Sequence, residues 1–199
     1  MMTSVYIDGM GLDFEDSDGN STLGDLVGAI ENDIKGLRRY VDGVCVDGEP
    51  LTGWRAPQGL RRPLVGLGEV KLQTASFDEV AADGVSTLRE YTAVIKQNIE
   101  ACASSLRRGG PAGPEFSSVV EGVIEVVKTI EMLARGGGAY GVALFSQDPA
   151  PCCSSLLDSL EALREAACTA DSVSMADILE YELTGALAEV ERITFFPAA

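Results

Sequence analysis

The stretch EVKLQTASFDEVAADGVSTLREYTAVIKQNIEACASSL, residues 69–106, changes its period in the middle. EVKLQT, Glu69 to Thr74, has the composition of a strand. Beyond it, Ser76-x-x-Glu79 has the spacing of a helix capping box. Ala81, Val85, Leu88, Thr92, Ile95, Ile99, Cys102 and Leu106 then recur at steps of four and three, which puts all of them on one side of a single long helix. A stripe of that length calls for another helix to pack against. The chain is therefore expected to be built differently on either side of this junction, with a mixed domain over residues 1–75 and a helical one over residues 76–199.

Toward the C-terminus, GGPAGP breaks the long helix, and Pro114 suits the first turn of the next. There Phe116, Val120, Val123, Val127, Ile130 and Ala134 continue the helical spacing. GGGAYGVALFSQDPAP, residues 136–151, reads as a looser connection to a third helix with Leu156, Leu160, Leu163 and Ala167. The last helix carries Ala176, Leu179, Leu183, Ala186, Val190 and Ile193. Four consecutive amphipathic helices most simply form an up-down bundle.

Toward the N-terminus, SVYID is β-rich and alternating, Gly9-Met10-Gly11 reads as a turn, and LDF can return as a second strand. A helix follows. Its start pairs Thr22 with Asp25, and Leu23, Leu26, Val27, Ile30, Ile34 and Leu37 share one face. VCVDGEPL, Val44 to Leu51, and EVKLQT supply two more strands. The order strand, strand, helix, strand, loop, strand resembles the ubiquitin-like β-grasp, carried here by VYID, TLGDLVGAI, VCVDGEPL and EVKLQT. The expected fold class is thus α+β: a small β-grasp-like N-terminal domain followed by an all-α four-helix up-down bundle. Carriers and modifiers of the β-grasp family are adenylated on a free C-terminal Gly-Gly. Here the closing strand continues into a helix and the chain finishes FFPAA, so the resemblance implies a binding module.

Composition narrows the function. There are 31 acidic and 15 basic residues, a formal charge of −16, which repels nucleic acid and anionic lipid. Arginines gather at Arg38–Arg39, Arg61–Arg62 and Arg107–Arg108, short of a polybasic tract. The 5 cysteines include no C-x-x-C pair, which argues against a disulfide framework or structural zinc. The opening MMTSVYIDG has no basic stretch followed by an apolar run, and no 18-residue apolar segment occurs. A soluble protein of a reducing cytoplasm, without membrane or nucleic-acid partners, is expected. Histidine is absent, which removes Ser-His-Asp and Cys-His catalysis and histidine-ligated metal sites. No phosphate-cradling glycine motif follows a strand. No catalytic, cofactor or metal residues are assigned.

Four segments remain as candidate sites. TGWRAPQGLRRPLVGLG, residues 52–68, holds the 1 tryptophan, Trp54, beside Arg55. It is either a lid, with Trp54 and Leu64 folded over the sheet, or a partner-binding loop. DFEDSDGN, residues 13–20, would place Asp16, Asp18 and Asp25 at calcium-loop positions around Gly19, but Phe14 would be the first ligand, so a solvated turn is expected. Cys152 and Cys153 read as lying just before the third helix, where a helix N-terminus can lower a thiol pKa; inert buried thiols are the expectation. In SMADILEYEL, residues 174–183, Ser174 and Asp177 have capping-box spacing, while Glu180 and Glu182 fall on opposite flanks of the core stripe. Ile178, Tyr181, Gly185 and Ala188 lie on the side away from that stripe, where a surface helix would be polar. The last helix is therefore expected to dock on its outer face, through Ile178, Tyr181 and Gly185, against the N-terminal domain or another subunit, most simply in a homodimer. These features favour a non-enzymatic, bacterial-type cytoplasmic protein-interaction module, adaptor or chaperone-like. Two alternatives stay open: a helical bundle enclosing a small molecule or metal, as enzyme or sensor, and a structural homo-oligomer.

Overall fold

A computed structural model describes residues 3–14, 20–110 and 113–194. The protein is mixed α+β, with a five-stranded sheet near the N-terminus and a mostly helical remainder. It divides into two compact units, Met1–Glu79 and Val80–Ala199.

In the first unit, β1 (Ser4–Ile7) and β2 (Met10–Leu12) form a hairpin. Helix α1 (Leu23–Ile34) and a 3₁₀ turn (Lys35–Leu37) follow, then β3 (Arg39–Val46), β4 (Glu49–Pro50), the single turn α2 (Pro57–Leu60) and β5 (Glu69–Ser76). The strand order is β2-β1-β5-β3-β4, with β1 and β5 parallel and the other neighbours antiparallel. The first hairpin turns at Asp8-Gly9, one residue earlier than expected, and the second at Asp47-Gly48; all four residues have positive φ (47°, 84°, 51° and 87°). Asp-Gly supplies this conformation, and the two-residue turn it makes suits the twist of the strands.

Thr22 accepts from the Asp25 N–H and Asp25 accepts from the Thr22 N–H, closing the expected capping box. The apolar face of α1 is Leu23, Leu26, Val27 and Ile30, which join Val5, Val41, Val44, Val46, Val70 and Leu72 in the core. Val41 and Val44 are three apart and would point to opposite faces of a regular strand; a bulge between Val41 and Gly43 brings both inward. Leu37 does not join them. The helix gives way to the 3₁₀ turn, Arg38 takes a left-handed φ of 53°, and Leu37 is left 71% exposed.

The helical elements are α3 (Phe77–Arg107), α4 (Pro114–Tyr140), α5 (Ala150–Cys168), and a last run made of α6 (Ser172–Asp177), a π-helical segment (Ile178–Leu183) and α7 (Thr184–Ile193). All eight residues of the expected α3 stripe are buried. On α4 the stripe sits slightly round from the expected one, with Val119 and Leu133 buried in place of Val120 and Ala134. On α5 it is Ser159 and Ala166 in place of Leu160 and Ala167, and on α7 Leu187 in place of Ala186.

Gly136-Gly137-Gly138 does not loosen the chain. It is the last turn of α4, which ends at Gly141 with a left-handed φ of 67°. The returning chain explains the glycine: a Cβ on Gly137 would meet the Val142 carbonyl oxygen at 2.5 Å. Beyond it, Phe145 bridges to Thr194, and the Ser146 N–H donates to the Ile193 carbonyl.

Candidate interaction surfaces

The last run is capped by Asp171, not by Ser174 with Asp177. Asp171 accepts from the Ser174 N–H at 3.0 Å and from its hydroxyl at 2.6 Å, so the helix starts earlier than the capping-box spacing predicts. Asp177 is thereby free for another use. Arg107, at the end of α3, donates to Asp177 Oδ1 at 2.7 Å and to Glu180 Oε2 at 2.6 Å, with its Nε also turned to Glu180. The guanidinium holds the Glu180 carboxyl below the usual carboxylate range. Two of the carboxylates in SMADILEYEL are thus committed to one cation, and Glu182 is exposed.

The π segment alters what this run presents. The Thr184 N–H and hydroxyl both donate to the Leu179 carbonyl five residues back, the latter at 3.0 Å. A wider turn advances less angle per residue than the roughly 100° of an α-helix. Met175, Leu179, Leu183 and Leu187, evenly four apart, accordingly all face inward. Tyr181 is 70% exposed, Gly185 and Ala188 are exposed, and a Cβ on Gly185 would meet nothing within 4 Å. Ile178 is only half-buried, so it stands at the edge of this outer side.

Trp54 and Arg55 are used inside the first unit. Trp54 is 8% exposed and packs into the sheet–helix core with Leu64 and Leu67. The Arg55 guanidinium lies 4.4 Å from the centroid of the Trp54 ring and donates to Glu31 at 2.9 Å and to the Val41 carbonyl. A Cβ on Gly59 would meet the Trp54 carbonyl oxygen at 2.5 Å, so the α2 turn closes directly over Trp54. This is the arrangement of a lid.

Other candidates have ordinary surroundings. Cys152 and Cys153 lie inside α5, not before it, and burial pushes both thiols up, against any lowering by the helix terminus. In the calcium-loop reading, Asp16, Asp18 and Gly19 lie outside the described residues; Asp25 is spent on the cap of α1. Phe195 and Phe196, whose aromatic side chains could extend the expected docking patch of Ile178, Tyr181 and Gly185, also lie outside them. Among the described residues no group of three or more Cys, Asp or Glu is placed to hold a metal ion, and no helix is long and apolar enough to cross a membrane. A hollow of about 190 Å³ between the end of α4 and the following segment, lined by Leu133, Gly137, Leu144 and Pro149, is smaller than the roughly 300–1,000 Å³ of small-molecule sites.

One feature of α3 escaped the sequence reading. Beside the buried stripe, displaced by one residue, run Val80, Gly84, Thr87, Tyr91, Val94 and Asn98, again at steps of four and three and without a charge. Val80, Tyr91 and Val94 are 47%, 40% and 50% exposed. The signal was available: a second uncharged repeat in a chain with 23% charged residues.

Compared with models of protein families, with curated proteins and with solved structures, the chain finds no match.

Proposed function

We propose that the protein is a non-enzymatic interaction module of the cytoplasm, adaptor or chaperone-like, in which a β-grasp-like domain precedes an up-down four-helix bundle and the last helical run joins two copies. The β-grasp reading is supported by the order β2-β1-β5-β3-β4 with its parallel β1–β5 pair. The bundle reading is supported by contacts that run antiparallel along α3. Gly84 meets Leu133 and Gly122 meets Ile95 across α3 and α4. Arg89 donates to the Thr194 carbonyl, Lys96 pairs with Glu191 and Arg107 with Glu180 across α3 and the last run.

The observation that carries the docking function is the outer side of the last run, where Tyr181 and Gly185 stand open to solvent. An enclosed ligand would be better served by inward-facing acids. Among the described residues, the buried polar side chains of the helical unit are instead Thr92, Ser159 and Thr194, each bonded to a carbonyl of its own helix.

Sedimentation tests the reading. Wild type is expected to run as a dimer, and Tyr181→Asp and Gly185→Lys as monomers with unchanged helicity, since both positions are exposed. A wild type that is monomeric at every accessible concentration and captures no protein partner refutes it.

A further inference from the structure

We propose that the seam between α3 and α4 binds a basic amphipathic helix of a partner protein, an assignment that rests on the docking function above but uses a different surface. The uncharged stripe Val80, Gly84, Thr87, Tyr91, Val94 and Asn98 follows this seam. A Cβ on Gly84 would lie 2.9 Å from Leu133 Cδ2, and one on Gly122 would lie 3.0 Å from Ile95 and 3.5 Å from the Tyr91 hydroxyl. A glycine on each helix therefore leaves room for a side chain of the other, Leu133 on Gly84 and Ile95 on Gly122, where the stripe passes. An ordinary water-facing helix side would carry charges at such positions.

Charge selects the occupant. The two basic residues in the middle of α3 are turned away from the stripe: Arg89 donates to the Thr194 carbonyl at 2.7 Å and Lys96 pairs with Glu191 at 3.0 Å. On the stripe's opposite flank stand Asp83 and Glu90, both exposed, with no Lys or Arg at the further positions 86, 93 and 97 of that flank. An apolar track with an acidic rim fits a helix whose own apolar stripe is bordered by Lys and Arg. From Val80 to Asn98 the track rises about 27 Å, which matches a partner helix of about 18 residues. A second copy of this chain fits this seam poorly, because it brings the same acidic rim against it.

The test uses the full chain and three synthetic peptides of about 18 residues: Leu and Lys arranged with Leu at steps of four and three, a scramble of the same composition, and the first peptide with Glu for Lys. Fluorescence anisotropy at physiological salt should show the ordered Leu/Lys peptide binding at least about tenfold tighter than its scramble, and the Glu peptide not binding. Val94→Lys and Tyr91→Asp should each weaken that binding by about tenfold without loss of helicity, as should the double change Asp83→Lys with Glu90→Lys, whereas Tyr181→Asp should leave it intact. Equal binding of ordered and scrambled peptides would mean attraction to net charge alone and overturn the proposal. Undiminished binding by Val94→Lys would overturn it as well. If Val94→Lys instead dissociates a wild-type dimer, a second copy fills the seam and the inference fails. Failure of the peptide alone, with Tyr181-dependent dimerisation intact, would reject this seam and leave the docking module standing.

Discussion

Asp8 and Asp47 occupy equivalent positions in two Asp-Gly turns and hold opposite ends of the same strand, β5. Asp8 accepts from the Thr74 N–H at 2.9 Å and from its hydroxyl at 2.6 Å, near the end of β5. Asp47 Oδ1 accepts from the N–H groups of Gly68 and Glu69 at 3.0 and 2.8 Å, at its start. Each hairpin turn thus fixes a strand far away in sequence, and the two together set the register of the central strand against β1 and β3.

The Asp8 clamp should be visible in acid. The Thr74 hydroxyl, then the Thr74 N–H, with Arg39 adding to them, hold the Asp8 carboxyl below its usual range. A carboxyl whose folded pKa is depressed contributes stability that is complete above its unfolded value, about 3.9, and is lost as pH falls through the folded value. The urea midpoint of wild type should fall with acidification in that window. Asp8→Asn, which keeps the left-handed backbone accessible, should be less stable than wild type at neutral pH by about 1 kcal/mol, the screened worth of such bonds at an exposed site. The gap should close at low pH. Parallel acid profiles of the two proteins would show that the clamp carries no charge-dependent stability.

Trp54 should behave as a core residue. Its truncation to Ala removes a large buried ring and is expected to cost about 3–5 kcal/mol in urea unfolding. Arg55→Ala should cost about 1 kcal/mol through loss of the ring contact and the bonds to Glu31 and the Val41 carbonyl. An unchanged midpoint for Trp54→Ala would return the loop to the list of partner surfaces.

The thiols should separate by burial. Cys168 is exposed, while Cys102, Cys152 and Cys153 are buried, and burial raises the pKa of each of those three. An aromatic disulfide reagent at neutral pH should modify Cys168 rapidly in the native protein and the buried three only on unfolding. Fast native reaction at Cys152 or Cys153, mapped by mass spectrometry, would contradict the buried environment of α5.

The α3 stripe was legible residue by residue because a long helix averages out local irregularity: eight spaced positions leave one choice of face. Shorter signals slipped by a residue. Ala186 and Leu187 compete for one place on the last helix, and the π segment just before them turns the larger side chain inward. A wheel of constant pitch could not anticipate that, which is also why Ile178 lies at the edge of the outer side while Tyr181 stands fully out. Asp177 was misassigned for a different reason: capping spacing is local, and the claim of Arg107 on it comes from 70 residues away. The second stripe on α3 was hidden by its own composition, since Gly84, Thr87 and Asn98 add little hydrophobicity to an alternating pattern.

Gly137 and Gly138 should respond to the same substitution with opposite signs. Both lie in the last turns of α4, and helix propensity alone favours alanine at each by up to about 1 kcal/mol. Their surroundings differ. A Cβ on Gly138 would meet nothing within 4 Å, so Gly138→Ala should gain about 0.5–1 kcal/mol. A Cβ on Gly137 would sit 2.5 Å from the Val142 carbonyl oxygen, and that oxygen belongs to backbone held by the Val142 N–H bond to the Gly137 carbonyl at 2.8 Å. Relief would require the chain after α4 to move as a unit, disturbing buried Val142 and Leu144. Overpacking of this kind costs about 1–3 kcal/mol, more than the propensity gain, so Gly137→Ala should be a net loss. The two variants measured side by side by urea unfolding read out the close approach directly. If both are stabilised, the chain after Tyr140 does not return against α4, and Gly136-Gly137-Gly138 has no packing reason to be glycine.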